Sequence, residues 1–282
     1  MSEPQSLISL INERLESGNV ELPVFDTIAL RIHKEVRENK LSADELCAIL
    51  EEDPVMVTEL LRTANSSFFA GLSEVTNLRE AAVRLGLKQI AAIVMSISQK
   101  RMYSASKGPF NQRLTQLWRH STAVSIGARW LAKNCGYRNV ADDVFVAGLL
   151  HDVGKLSLLC IIEDLIVKGE MTLTDEIVDM TIRQLYCAHG AKLLDMWNLP
   201  DAFKEVVLHQ DNEVFDDSNV ILCMVRLVDR ACVLEDISDM PGGNHVVLES
   251  LPETTALGVS EMDLAELRLV LEDVRGDKKA AA

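Results

Sequence analysis

Apolar residues return along this chain at three- and four-residue intervals, as in Leu46, Ile49 and Leu50 and then Val57, Leu60, Leu61 and Ala64. That is the period of a helix with one buried face, and the strict alternation of a half-buried strand is nearly absent. Helix signals fall where the period needs them. Ser42 stands three residues before Glu45 as in a capping box, Asp53-Pro54 places proline at a first helical position, and Gly86 can end a helix that opens near Leu78. Short helices joined by tight turns are expected from Leu22 to about Ser98. A loop over Tyr103 to Asn111 then leads into a long helix from about Gln112 to Asn134. Further helices are expected at Ala141 to Ile161, Thr174 to Met196, Asp201 to Leu208 and Val220 to Leu234, with Asn198-Leu199-Pro200 as a break. An irregular segment around Pro241-Gly242-Gly243 precedes a last helix from Glu261 to Val274, capped by Ser260, and a frayed end.

The pattern predicts an all-α protein, and 14 Gly, 7 Pro and 5% aromatic residues agree with it. At 282 residues with 48% apolar content the chain can bury a substantial core. Its longest apolar runs, such as Ile90 to Ile97, fall short of the roughly 20 residues of a membrane helix. No membrane partner is expected. The N-terminus carries Glu3, Glu13 and Glu16 and does not resemble a secretory signal, so a cytoplasmic location is the default expectation. Cys47, Cys135, Cys160, Cys187, Cys223 and Cys232 contain no CxxC pair and read as free core thiols.

A net charge of −15 argues against nucleic acid or an anionic membrane as a general partner. The charge is unevenly spread, because Ala81 to Ala141 contains no Asp or Glu but ten cations, among them Arg84, Lys88, Lys100, Arg101, Arg113, Arg119 and Arg129. These residues are either solvated helix faces with acidic partners elsewhere in the fold, or a basic wall beside His120 that attracts a phosphate or an acidic protein.

The candidate chemistry lies in Leu149-Leu150-His151-Asp152-Val153-Gly154-Lys155, with His120, His189, His209 and Asp229 at long range. Adjacent residues on a helix point about 100° apart, so His151 and Asp152 reach one ion only near a helix end or with the ion between them. Packing three helices could bring His120 and Asp229 to the same point. Two imidazoles and two carboxylates suit iron, manganese, nickel, zinc or magnesium better than copper(I). Lys155, one turn after His151, could meet a phosphate or pair with Asp152, and His189 and His209 could hold a second ion or bind substrate. An unpartnered buried Asp152 costs several kcal/mol, so it requires a cation, a metal or several donors.

The HD run resembles the signature of the HD superfamily of metal-dependent phosphohydrolases. Leu22-Pro23, Asp53-Pro54, Ala64-Asn65-Ser66, Leu85-Gly86, Ala188-His189-Gly190-Ala191 and Trp197-Asn198-Leu199-Pro200 together resemble the HDOD domain, the HD-related output domain of bacterial signalling proteins, over about Val20 to Asp236. The resemblance implies an HD-like helical core packed against an N-terminal helical bundle. The expected division is an N-terminal segment (1–19), a first helical half (20–111), an HD-like half (112–236) and a C-terminal extension with one helix (237–282). It implies the ligand set His120, His151, Asp152 and Asp229. The extra histidines of two-metal HD-GYP phosphodiesterases would correspond to His189 and His209. Their second adjacent histidine is Gln210 here, and no Gly-Tyr-Pro follows, which weakens a two-metal site.

The function this implies is a regulatory output module that binds a signalling protein or a small phosphate-containing ligand. The alternative is a metal-dependent phosphohydrolase acting on a nucleotide or another phosphate compound, with Lys155 stabilising the developing charge.

Overall fold

A computed structural model describes residues 3–17, 25–69, 74–104, 108–238 and 246–276. Among them there are fourteen α-helices and no strand, as the period predicts. The first half holds α1 (Glu3–Ser17), α2 (Thr27–Arg37), α3 (Ala43–Glu51), α4 (Pro54–Ala64), α5 (Leu78–Leu85) and α6 (Leu87–Ser104). The second holds α7 (Asn111–Asn134), α8 (Ala141–Leu150), α9 (Val153–Val167), α10 (Asp175–Met196), α11 (Asp201–His209) and α12 (Val220–Leu234), followed by α13 (Pro252–Leu257) and α14 (Glu261–Gly276).

The helix signals act as read. Ser42 forms a reciprocal capping box with Glu45, and Asp53 accepts from the backbone N–H groups of Val55 and Met56 with Pro54 at the first position. Gly86 closes α5 at φ +79°, a conformation that costs a residue without a Cβ little. Two helices were not foreseen. Within the expected N-terminal segment, α1 buries Leu7 and Ile11, four residues apart, against α10, and α13 starts on Pro252, between the segment expected to be irregular and the last expected helix. The Leu22-Pro23 pair, Pro241-Gly242-Gly243 and the C-terminal end from 277 lie outside the described residues.

The long helix α7 is the axis of the fold. It packs against α6, α8, α12 and α14, and its buried side includes Leu114, Leu117, His120, Ala123, Val124, Ala128 and Leu131. Helix α6 joins the halves by packing on α2, α4 and α5 on one side and on α7 and α8 on the other. The stretch Arg138–Val167 is apolar and long enough to cross a membrane by composition, but 89% of its most apolar 18-residue window is buried inside the fold. The outer connections use polar pairs, of which the buried Arg226–Glu253 ion pair at 2.6 Å ties α12 to α13.

Two glycines decide how closely α9 approaches α10. A Cβ on Gly154 would run into the carbonyl oxygen of Tyr186 and stand 2.8 Å from the Gly190 nitrogen, both rigid backbone. Gly154→Ala is therefore expected to cost at least about 3 kcal/mol in urea unfolding. Wild-type stability in that variant would show that the two backbones do not meet here.

Candidate metal centre

The expected helix from Ala141 to Ile161 is in fact two, broken at His151-Asp152. Side chains take over the carbonyls that the helix ladder would otherwise use. The His151 ring donates from Nδ1 to the Gly148 carbonyl at 2.7 Å, Gln99 Nε2 donates to the Leu149 carbonyl, and Gln210 Nε2 donates to the His151 carbonyl at 2.7 Å. Asp152 stands at the start of α9 without capping it. Its carboxylate is thus free to turn inward, and the helix end required for adjacent His and Asp to share one point is present.

His120 on α7 and Asp229 on α12 meet the pair there. The Nε2 atoms of His120 and His151 are 3.2 Å apart, and His120 Nε2 lies 3.1 Å from Asp229 Oδ1 and 3.6 Å from Asp152 Oδ2. Asp152 Oδ2 is also 3.2 Å from His151 Nε2 and 2.7 Å from Lys155 Nζ. His120, His151 and Asp152 are each only about 1% exposed, whereas the Asp229 side chain is 32% exposed.

The tautomers follow from the partners. His120 Nδ1 faces the Ile237 carbonyl at 2.8 Å and His151 Nδ1 faces that of Gly148. A carbonyl only accepts, so each Nδ1 carries a hydrogen and each neutral ring presents an Nε2 lone pair to the other and to the carboxylates. Lone pairs and negative oxygens facing one another require a positive charge between them. A metal ion about 2.0–2.1 Å from each donor brings neighbouring donors to about 3.0–3.4 Å, close to the separations here. Ring Nδ1–H groups held by backbone carbonyls are also the usual outer support of metal-bound histidine. The residues therefore fit one divalent ion. Among the described residues, His120, His151 and Asp229 form a group whose donor atoms lie within 4.8 Å of one another.

Burial pushes both carboxyls up, and positive charge outweighs it, from the Lys155 ammonium and from the two rings whenever they are protonated in place of holding an ion. His151, Lys155 and His120 hold Asp152 far below the usual carboxylate range, and His120 lowers Asp229. Lys155 is committed to Asp152 and lies 5.0 Å above the Tyr186 ring.

The other expected ligands do not join the centre. His209 is on the surface, with Nε2 3.2 Å from Glu205 and Nδ1 2.9 Å from Asn212. His189 is buried on α10 with no hydrogen-bond partner for Nε2. Part of the basic stretch finds acids elsewhere in the fold, since Arg101 pairs with Asp53 at 2.8 Å, Arg113 with Asp179 and Arg129 with Asp142 at 3.3 Å. Sequence reasoning did not foresee the Gly148 and Ile237 carbonyls, because every residue carries one and nothing marks those two. Gln210 was noted only as a missing histidine, and the structure makes its amide a support for His151.

An all-helical fold with two histidines and two aspartates converging at a helix break defines a protein of the HD class. The HDOD domain model matches residues 22–213, and the chain belongs to that family. The match ends before Asp229, so the fourth residue of the centre comes from beyond it. The fold is similar over nearly its whole length to an HDOD domain protein from Geobacter sulfurreducens, at 25% identity over 98% of this chain and 97% of that one, with a TM-score of 0.75. It is also similar to a candidate metal-dependent phosphohydrolase from Shewanella amazonensis SB2B, at 22% identity over 100% and 99% of the two chains, with a TM-score of 0.79. An uncharacterized protein of Treponema pallidum (strain Nichols) is 23% identical over 71% of this chain, which spans 39% of that protein's length.

Burial lowers the His189 ring to about 4 with Lys192 adding to the effect, and burial with Arg37 does the same to His33. Both titrate near about 6.5 when unfolded, so between those values the unfolded chain binds more protons. Their contribution is complete above about pH 6.5 and is lost as pH falls toward 4. Urea unfolding between pH 7 and 4.5 is expected to show an acid-side loss that shrinks by about 2 kcal/mol in His189→Gln. An identical pH profile in that variant would contradict a neutral, buried His189.

Proposed function

We propose that this chain is a signalling module of the HDOD type that acts by binding a protein or a phosphate-containing ligand, with one divalent ion at His120, His151, Asp152 and Asp229. The burial of the donor set carries this reading. Three of the four residues expose only about 1% of their surface, so the ion would join α7, the α8–α9 break and α12 rather than face a substrate. Lys155, the cation nearest the centre, is spent on Asp152. Gln210 occupies the position where a second ion would need an imidazole, and its amide is bonded to the His151 carbonyl. In such a module the ion fixes the relative placement of three helices, and a binding surface built on them inherits that placement.

The second reading is a phosphohydrolase, favoured by the partly exposed Asp229 carboxylate, which gives the centre one side open to solvent. A divalent ion held there would supply Lewis-acid chemistry toward a phosphate ester.

The two readings separate by turnover. Protein loaded in turn with manganese, iron, zinc, nickel and magnesium is expected to release no phosphate or phenol above the Asp152→Ala variant from a nucleotide panel and from p-nitrophenyl phosphate mono- and diesters. Turnover by wild type that disappears in His151→Ala would refute a binding-only module and establish the hydrolase.

A further inference from the structure

On the side of α7 away from the metal centre, a cleft runs between α4, α6 and α7. Its volume is about 70 Å³, and its walls include Glu59, Arg62, Phe69, Lys100, Trp118 and Thr122. Two of these groups are buried and carry polar hydrogens for which the protein supplies no acceptor. Trp118 is 7% exposed and its indole Nε1 has no hydrogen-bond partner; Thr122 is 9% exposed and its hydroxyl has none either. Lys100 is half-buried, with its ammonium 5.3 Å above the Trp118 ring, and among the described residues no carboxylate lies within ion-pair distance of it. Buried donors are nearly always satisfied, so an indole N–H and a hydroxyl left unpaired beside a half-buried ammonium point to an acceptor from outside the chain.

The charge balance favours an anion. Burial lowers Lys100, and Arg62 acts on it more strongly than Glu59 does, so the ammonium sits in a net positive field. Glu59 also lines the cleft, with its Oε2 3.6 Å from Arg101 Nε and without a hydrogen bond, so Lys100 and Arg62 face one carboxylate there and leave the wall net positive. The volume is several times the roughly 10–15 Å³ that one water requires, which fits a single tetrahedral oxyanion and not a whole nucleotide. A neighbouring cleft of about 260 Å³ shares Phe68, Phe69, Ile126 and Phe145 with the first and adds Trp130 and Lys133, which gives an apolar, aromatic space for the body of a ligand whose phosphoryl end lies against Lys100.

From this geometry we propose that the cleft between α4, α6 and α7 is a binding site for a phosphoryl group, separate from the metal centre and held by Lys100, Arg62, Trp118 and Thr122. Trp118 and Thr122 flank His120 on the same helix, and both also border a second cleft beside Ile237, whose carbonyl holds the His120 ring. An anion in the cleft would thus touch residues two positions to either side of His120 on the same helix.

The test is calorimetric titration of the chelator-treated full chain with inorganic phosphate and with a nucleoside monophosphate, at constant ionic strength in chloride. Saturable binding is expected at about millimolar affinity or tighter, weakened at least about tenfold in Lys100→Gln and retained in Lys100→Arg. His151→Ala is expected to bind as wild type does, because the site does not use the metal centre. Tighter binding of the monophosphate than of phosphate would place the body of the ligand in the aromatic cleft; equal affinities would assign the site to the free ion. No saturable heat with either probe, binding unchanged in a folded Lys100→Gln, or binding lost in His151→Ala would overturn the proposal.

Discussion

Two imidazole lone pairs and two carboxylates meet in the interior of this protein, and they can do so only around a positive charge. Buried anions and unshared lone pairs without such a charge cost several kcal/mol, a large part of the net stability of a domain. Lys155 meets part of the need through Asp152, but the two Nε2 atoms at 3.2 Å from one another lie beyond what that ammonium satisfies. The centre is therefore organised for a cation in a way that ordinary core packing is not. The surrounding structure serves this arrangement. Backbone carbonyls at Gly148 and Ile237 orient the rings, and Gln99 and Gln210 take over the carbonyls where α8 stops.

The same constraint explains the placement of the helices. A continuous helix through His151-Asp152 would spread the two side chains around its surface, whereas the break lets both turn to one point. Just beyond the break, Gly154 and Gly190 let α9 approach the α10 backbone closely. On the other side, α7 carries His120 between Trp118 and Thr122, so one helix borders both the metal centre and a cleft with unpaired donors. Events at either place act on the same rigid rod.

Much of this was legible in the sequence. The period of apolar residues gave the helices, and local chemistry at Ser42, Asp53-Pro54 and Gly86 gave their ends, because caps depend on a few adjacent residues. The quartet could be placed because His and Asp inside apolar helical stretches need partners. Other features depended on information a single segment lacks. The break at residues 151–152 is made by Gln99 and Gln210, 50 and 59 residues away from the carbonyls they bond, and nothing local announces it. His189 and His209 carry the right chemistry, but α10 and α11 turn them away from the ion, a matter of helix rotation that spacing alone does not fix. The motif residues have structural work as well: Asn65 pairs with both the N–H and the carbonyl of Val75, and Trp197 packs edge-on against Phe25.

The central claim is that the HD quartet holds a metal ion. Elemental analysis by mass spectrometry of protein purified without an affinity metal or chelator, beside the His151→Ala variant, tests it most directly. The account predicts about one divalent metal per chain in the wild type and none in the variant. A wild type that is empty as isolated and stays empty after incubation with iron, manganese, zinc, nickel and magnesium would contradict it, and would leave a proton shared among His120, His151, Asp152 and Asp229 as the charge at the centre.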